Sequence, residues 1–214
     1  MTWIKICGTT NLEDAQLAAD AGADALGFIF APSARQIHPQ QANQMISALP
    51  QAIEKIGIFV GQPAAEIERI SKAVGLTGIQ YYGHAVREIE NLAAASNLKL
   101  FAALSASDGA LIENAQAWNK TKIFAYLLDS ARAGGGTGRR FDWQSSIPHV
   151  QLIKQHARVI VAGGLTPENV GEAIRLFRPW GVDVVSGVER SPGKKDPQKV
   201  KAFIAAVRRA DSAE

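Results

Sequence analysis

One cysteine, Cys7, stands in 214 residues, so no disulfide can form within the chain. That scarcity points to a reducing compartment. Long apolar runs are also missing, and no stretch approaches the ~18 residues that a membrane-spanning helix needs. The first segment, MTWIKICGTTNLEDA, is broken by Lys5 and turns polar from Thr9, unlike a secretory or transit leader. Cytoplasm is the expected location. Charge of one sign is scarce too: the net charge is +3 at pH 7, with no run of Lys and Arg interleaved with aromatics. Neither nucleic acid nor a membrane is an expected partner. The mild positive excess suits a small anionic molecule or carries no meaning at all. The four histidines, His38, His84, His149 and His156, form no His-x-His pair, and none ends an apolar run. A metal is therefore not expected, and no other cofactor is implied. No Ser occupies a nucleophile elbow.

What is present is alternation. Short apolar runs at 4–8, 25–30, 56–60, 78–82, 99–104, 123–129, 159–162 and 182–186 read as strands. Helical stretches follow at 12–21, 40–49, 64–74, 86–95, near 110–118, and at 167–177 and 197–209. Asn11 is a natural N-cap for the first helix, with Asp14 in the capping-box position. Gly22, Gly75 and Gly181 each stand between a helix end and a strand, where a left-handed glycine cap is expected. Strands apolar on both faces belong to buried parallel sheets. Strict βα alternation with eight strands predicts one closed (β/α)8 TIM barrel over residues 1–214. The one strong change of composition, SARAGGGTGRR at 130–140, reads as a mobile loop within that domain.

In such a barrel the site lies at the C-terminal ends of the strands. Gly163 and Gly164 follow the seventh strand, while Ser186 and Gly187 close the eighth. Glycines there let backbone amides approach an anion, which predicts a phosphate cradle. Cys7 ends the first strand and shares a strand face with Lys5. It is either a small buried hydrophobe or a base whose thiol pKa the ammonium lowers. Lys5 itself is either that activating charge or a buried charge paired with a carboxylate. Asp129 ends the sixth strand after an apolar run, where a carboxyl group must be paired or used. Across an eight-stranded ring it can face Cys7 as acid to base. Arg35, in Pro32-Ser33-Ala34-Arg35, is either a solvated loop residue or a fork for a substrate carboxylate.

The ordered motifs resemble a known family. They are Lys5-Ile6-Cys7-Gly8, Gly22-Ala23-Asp24-Ala25-Leu26-Gly27-Phe28, Leu127-Leu128-Asp129-Ser130, Gly135-Gly136-Thr137-Gly138 and Phe141-Asp142-Trp143. Ala162-Gly163-Gly164-Leu165, Pro167-Glu168-Asn169-Val170, Asp183 with Ser186-Gly187-Val188-Glu189, and Pro192-Gly193 with Lys195-Asp196 complete the set. Together they resemble phosphoribosylanthranilate isomerase over almost the whole chain. The resemblance implies an Amadori rearrangement of a phosphorylated sugar amine in tryptophan biosynthesis. It implies Cys7 as general base, Asp129 as general acid, and Arg35 as the holder of a carboxylate. The expected assembly is a monomer or a homodimer. Two departures stand out. The family pattern has Ser-Pro-Arg where this chain has Ser33-Ala34-Arg35, and Gln-Leu-His-Gly where it has Gln80-Tyr81-Tyr82-Gly83. The competing readings are a related aminoaldose isomerase of the histidine pathway, whose pattern has Asp in place of Cys7, and a non-catalytic phosphosugar-binding barrel.

Overall fold

The computed structural model describes residues 1–106, 109–119, 121–130 and 141–213. Eight parallel strands close on themselves in chain order: β1 (Trp3–Ile6), β2 (Ala25–Ile29), β3 (Glu54–Val60), β4 (Gly78–Tyr82), β5 (Lys99–Ser105), β6 (Ala125–Asp129), β7 (Val159–Val161) and β8 (Gly181–Val184). The helices between them are α1 (Leu12–Asp20), α2 (Pro39–Ser47), α3 (Ala64–Val74), α4 (Val86–Ala95), α5 (Leu111–Gln116), α6 (Trp143–Lys154) and α7 (Val170–Phe177), with α8 (Pro197–Ser212) last. This is the (β/α)8 barrel that the alternation predicts. The Gly-rich loop at 131–140 lies outside the described residues.

Strand alternation sorts the side chains into two cores. Ile4, Ile6, Leu26, Phe28, Ile79 and Tyr81 pack outward in one cluster with helix residues such as Ile67, Val170 and Phe203. Ala25, Ile56, Phe101, Ala125, Leu127 and Ile160 fill the barrel interior. Trp3 stacks on Phe101 at 5.7 Å and on Trp180 at 5.1 Å between ring centroids, closing the end opposite the strand C-termini. The Arg158 guanidinium lies 4.6 Å from the Phe124 ring centroid at the same end.

The first helix is capped as its sequence predicts: Asn11 Oδ1 accepts from the Asp14 backbone N–H at 2.8 Å. Gly75 takes the left-handed cap of α3, with φ 74°. Gly181 does not. Arg178 supplies the left-handed cap of α7, and Gly181 starts β8 in extended backbone. Its missing side chain serves packing instead, since a Cβ there would lie 3.0 Å from the Trp3 ring and carbonyl oxygen. Besides a 3-10 turn at Ser186–Val188, two features among the described residues were not expected. One is α6, entered through Asp142, whose carboxylate accepts from the Gln144 and Ser145 amides. The other is a small antiparallel hairpin after β8, formed by β9 (Glu189–Ser191) and β10 (Lys194–Lys195).

Candidate active site

Parallel pairing of β1 with β8 sets Lys5 directly beside Asp183. Lys5 Nζ donates to Asp183 Oδ1 at 2.8 Å, and both side chains are buried. Of the two roles open to Lys5, the buried ion pair is therefore real. Burial alone would lower its ammonium, but Asp183 and Cys7 outweigh that and hold it above the ordinary lysine value.

Cys7 lies one residue past β1, buried, with its amide donating to the Val184 carbonyl at 2.9 Å. The sulfur occupies space that only glycine leaves open on the next strand: a Cβ on Gly27 would lie 2.5 Å from Cys7 Sγ. Lys5 pulls the thiol pKa down as expected, but the net shift is upward. Burial pushes the thiol up, Asp183 adds to the rise, and the opposing pull of Lys5 and Lys195 does not overcome them. A cation already committed to a carboxylate is a weak activator, because the thiolate meets both charges of the pair.

Asp129 ends β6 with its side chain buried. Its Oδ2 accepts from the Tyr82 hydroxyl at 3.2 Å, and its Oδ1 accepts from Ser130 Oγ at 3.3 Å. Tyr82 also packs in the cluster that contains Cys7, Ile29, Ala31 and Ile58. One side chain thus touches the surroundings of both the thiol and the carboxyl group.

The glycine loops come together as the spacing predicts. Gly163 and Gly164 have φ of 78° and 66°. Gly187 is required by close approach, since a Cβ there would fall 1.9 Å from the Leu165 carbonyl oxygen. A single recess is lined by Asp129, Gly163, Gly164, Asp183, Val185 and Ser186, among others. A larger cavity of about 560 Å³ opens on the β3–β5 side, lined by Val60, Tyr82, His84, Ser105 and Trp118, among others.

Arg35 lies over Gly8 and is engaged: Nε and Nη2 hold both oxygens of Glu189 at 2.8–3.1 Å. Nη1 takes no part in this pairing. Glu189 also accepts from the Gly193 amide at 3.2 Å and from Lys195 Nζ at 3.2 Å. Lys195 is buried and donates to the Cys7 carbonyl at 2.5 Å. Burial depresses its ammonium despite Glu189 and Cys7. Burial alone would raise the Glu189 carboxyl group, but Arg35 and Lys195 hold it below its ordinary value. In the sequence Lys195 stands only within a family motif, with no role assigned to it. A lysine in a polar hairpin gives no sign that it reaches back under the first strand. Among the described residues, no group of three or more His, Cys, Asp and Glu side chains could hold a metal ion.

A parallel barrel that gathers a thiol, a carboxyl group and a glycine-lined recess at one mouth defines a class: a (β/α)8 enzyme acting on a small anionic substrate. Comparison with known proteins narrows it. Residues 4–206 match the family model described as N-(5'phosphoribosyl)anthranilate (PRA) isomerase. A Pelobacter propionicus N-(5'-phosphoribosyl)anthranilate isomerase is 44% identical over 207 residues, covering 95% of this chain and 94% of the relative. The crystal structure of phosphoribosyl anthranilate isomerase from Thermotoga maritima superposes with a TM-score of 0.87 at 36% identity, covering 97% of this chain and 99% of the other. A structure of such an isomerase in complex with reduced 1-(o-carboxyphenylamino)-1-deoxyribulose 5-phosphate gives a TM-score of 0.84 at 35% identity, with the same coverage. The chain belongs to the phosphoribosylanthranilate isomerase family.

Proposed function

We propose that this chain converts N-(5-phosphoribosyl)anthranilate to 1-(2-carboxyphenylamino)-1-deoxyribulose 5-phosphate, the Amadori step of tryptophan biosynthesis, with residues 1–214 acting as one catalytic domain. The observation that carries the reading is Tyr82, which hydrogen-bonds Asp129 and packs in the same cluster as Cys7. The backbone around Gly163, Gly164, Ser186 and Gly187 holds the phosphate, beside Asp129 in the same recess. Arg35, oriented by Glu189, offers Nη1 to the anthranilate carboxylate.

The chemistry needs no net oxidation: two proton transfers reach the enolamine, and ketonisation moves two more. Asp129 gives its proton to the ribose ring oxygen. The C1–O bond breaks, and the nitrogen lone pair forms the C1=N iminium. The Cys7 thiolate then takes the proton from C2, the C2–H electron pair forms C1=C2, and the C1=N pair returns to nitrogen, giving the enolamine. The C2 hydroxyl then loses its proton to water while C1 takes one from water, giving the ketone, and a proton passed from Cys7 to Asp129 through solvent restores both groups. Each acid or base contributes ~10²–10⁴ in rate. Burial holds the Cys7 thiol above its ordinary value in the free protein.

No described helix is long and apolar enough to cross a membrane. The cytoplasm, where a phosphorylated intermediate is made and used, is the proposed location. The assembly is a monomer or homodimer, and a larger species in sedimentation velocity would overturn that. The test of function is turnover by purified Cys7→Ala and Asp129→Asn proteins. Both are expected to fold and bind inorganic phosphate while kcat drops about 10²–10⁴-fold. Unchanged turnover in either rejects the role given to that residue.

A further inference from the structure

The mouth holds a buried chain of polar side chains that the proton transfers above do not use. Gln80 Nε2 donates to the Tyr82 hydroxyl at 3.0 Å, and that hydroxyl donates to Asp129 Oδ2 at 3.2 Å. Gln80, Tyr82 and Asp129 are all buried, at 1%, 7% and 5% exposed. The far end of the chain is unfinished: Gln80 Oε1 is buried with no hydrogen-bond partner. An unmet buried acceptor is costly and needs an explanation.

A half-turn of the Gln80 amide exchanges Oε1 with Nε2 and lets the chain run backwards. When Asp129 is ionised or carries its proton on Oδ1, Tyr82 donates to Oδ2, as observed. When the proton sits on Oδ2, Asp129 donates to the Tyr82 oxygen and Tyr82 donates to Gln80 Oε1. The orphan acceptor is then the reserve partner for the second direction.

We infer that Tyr82, held by Gln80, is a positioning residue for the acid, gripping Oδ2 in every protonation state so that Oδ1 stays turned to the glycine recess. Oδ1 already lies on that side, where a Cβ on Gly163 would come within 2.9 Å of it. The titratable groups facing Tyr82 are Asp129 from β6, Asp183 from β8 and Cys7 beyond β1, with Lys5 paired to Asp183. Burial, first, and then the neighbouring Asp129 and Asp183 carboxylates hold the phenol well above its ordinary value. It therefore remains a neutral donor and does not itself carry charge.

The inference rests on Asp129 being the acid, and the test separates the two claims. Tyr82→Phe deletes the hydroxyl and keeps the ring in the cluster with Cys7 and Ile58. With phosphoribosylanthranilate as substrate, it is expected to lower kcat about 10-fold and leave KM within about twofold. Tyr82→His restores a donor and is expected to recover kcat to within about threefold of the parent. Added to Asp129→Asn, Tyr82→Phe should cost less than about twofold, because residues acting as a unit are not additive. Equal losses in both backgrounds mean that Tyr82 acts through packing, and overturn the proposal. So does a Tyr82→His protein as slow as Tyr82→Phe, or a Tyr82→Phe protein as fast as the parent. If Asp129→Asn alone keeps full turnover, the acid assignment falls and this inference falls with it.

Discussion

Replacing Gly27 with Ala should slow the enzyme while leaving substrate binding nearly intact. The new methyl carbon would stand 2.5 Å from Cys7 Sγ and 3.0 Å from Cys7 Cα and Cβ. Ordinary carbon contacts begin near ~3.5 Å, so the sulfur must retreat by about 1 Å. The backbone of Cys7 cannot slide away with it. Its amide is bonded to Val184 and its carbonyl to Lys195. The side chain must therefore leave its rotamer, and a reacting atom displaced by ~1 Å costs about 10²-fold in rate. The phosphate loops and Arg35 are on other elements, so KM should change by less than about threefold. Overpacking should also destabilise the fold by about 1–3 kcal/mol. For a chain of this size that is about 2–4 °C of Tm per kcal/mol. Steady-state kinetics and thermal melting measure both quantities. In a Cys7→Ala background the same substitution should lose most of its effect on Tm, since the closest clash is gone. A Gly27→Ala protein with the parent's kcat would refute the placement of the sulfur as the working base.

Three further outcomes follow from the same geometry. The Cys7 thiol is held above the ordinary cysteine value, so its ionised fraction grows with pH throughout the neutral range. Alkylation by iodoacetamide should therefore keep accelerating past pH 9, and a rate that levels off below pH 8 would contradict the assigned burial. Glu189→Gln removes the charge that aligns Arg35 and balances Lys195. It should raise KM about 10-fold with a smaller change in kcat, and unchanged KM would separate Arg35 from substrate binding. Lys5→Met leaves Asp183 buried without its cation and should cost about 3–5 kcal/mol by denaturant unfolding. Lys5→Met with Asp183→Leu should recover most of that loss, whereas equal instability in both would mean the pair contributes through shape alone.

The parts of this site that sequence reveals are those where chemistry interrupts a pattern. Cys7 and Asp129 end apolar strands, and a polar atom at such a place stands out without any coordinates. Gly163, Gly164, Ser186 and Gly187 follow the last two strands, so counting strands is enough to bring them together. What stays hidden depends on contacts between distant segments. Lys195 meets the Cys7 carbonyl from 188 residues away, through a hairpin that strand–helix alternation does not require. Arg35 reaches Glu189 across 154 residues, and either partner alone reads as an ordinary loop charge. The choice between an activating and a paired Lys5 needed the β1–β8 register, which only barrel closure supplies. The sixth helix escapes for a local reason: Pro148 stands inside it, and a glycine-rich stretch precedes it. Proline in a helix interior argues against the helix unless tertiary packing holds it, as Trp143, Val150 and Ile153 do here.

The most direct measurement is a crystal structure of this protein with the reduced product, 1-(o-carboxyphenylamino)-1-deoxyribulose 5-phosphate. Phosphate is predicted at Gly164, Ser186 and Gly187, with Cys7 Sγ and an Asp129 oxygen each within about 3–3.5 Å of the sugar from opposite sides. A sugar phosphate seated instead in the cavity between Tyr82, His84 and Trp118, out of reach of both groups, would contradict the account.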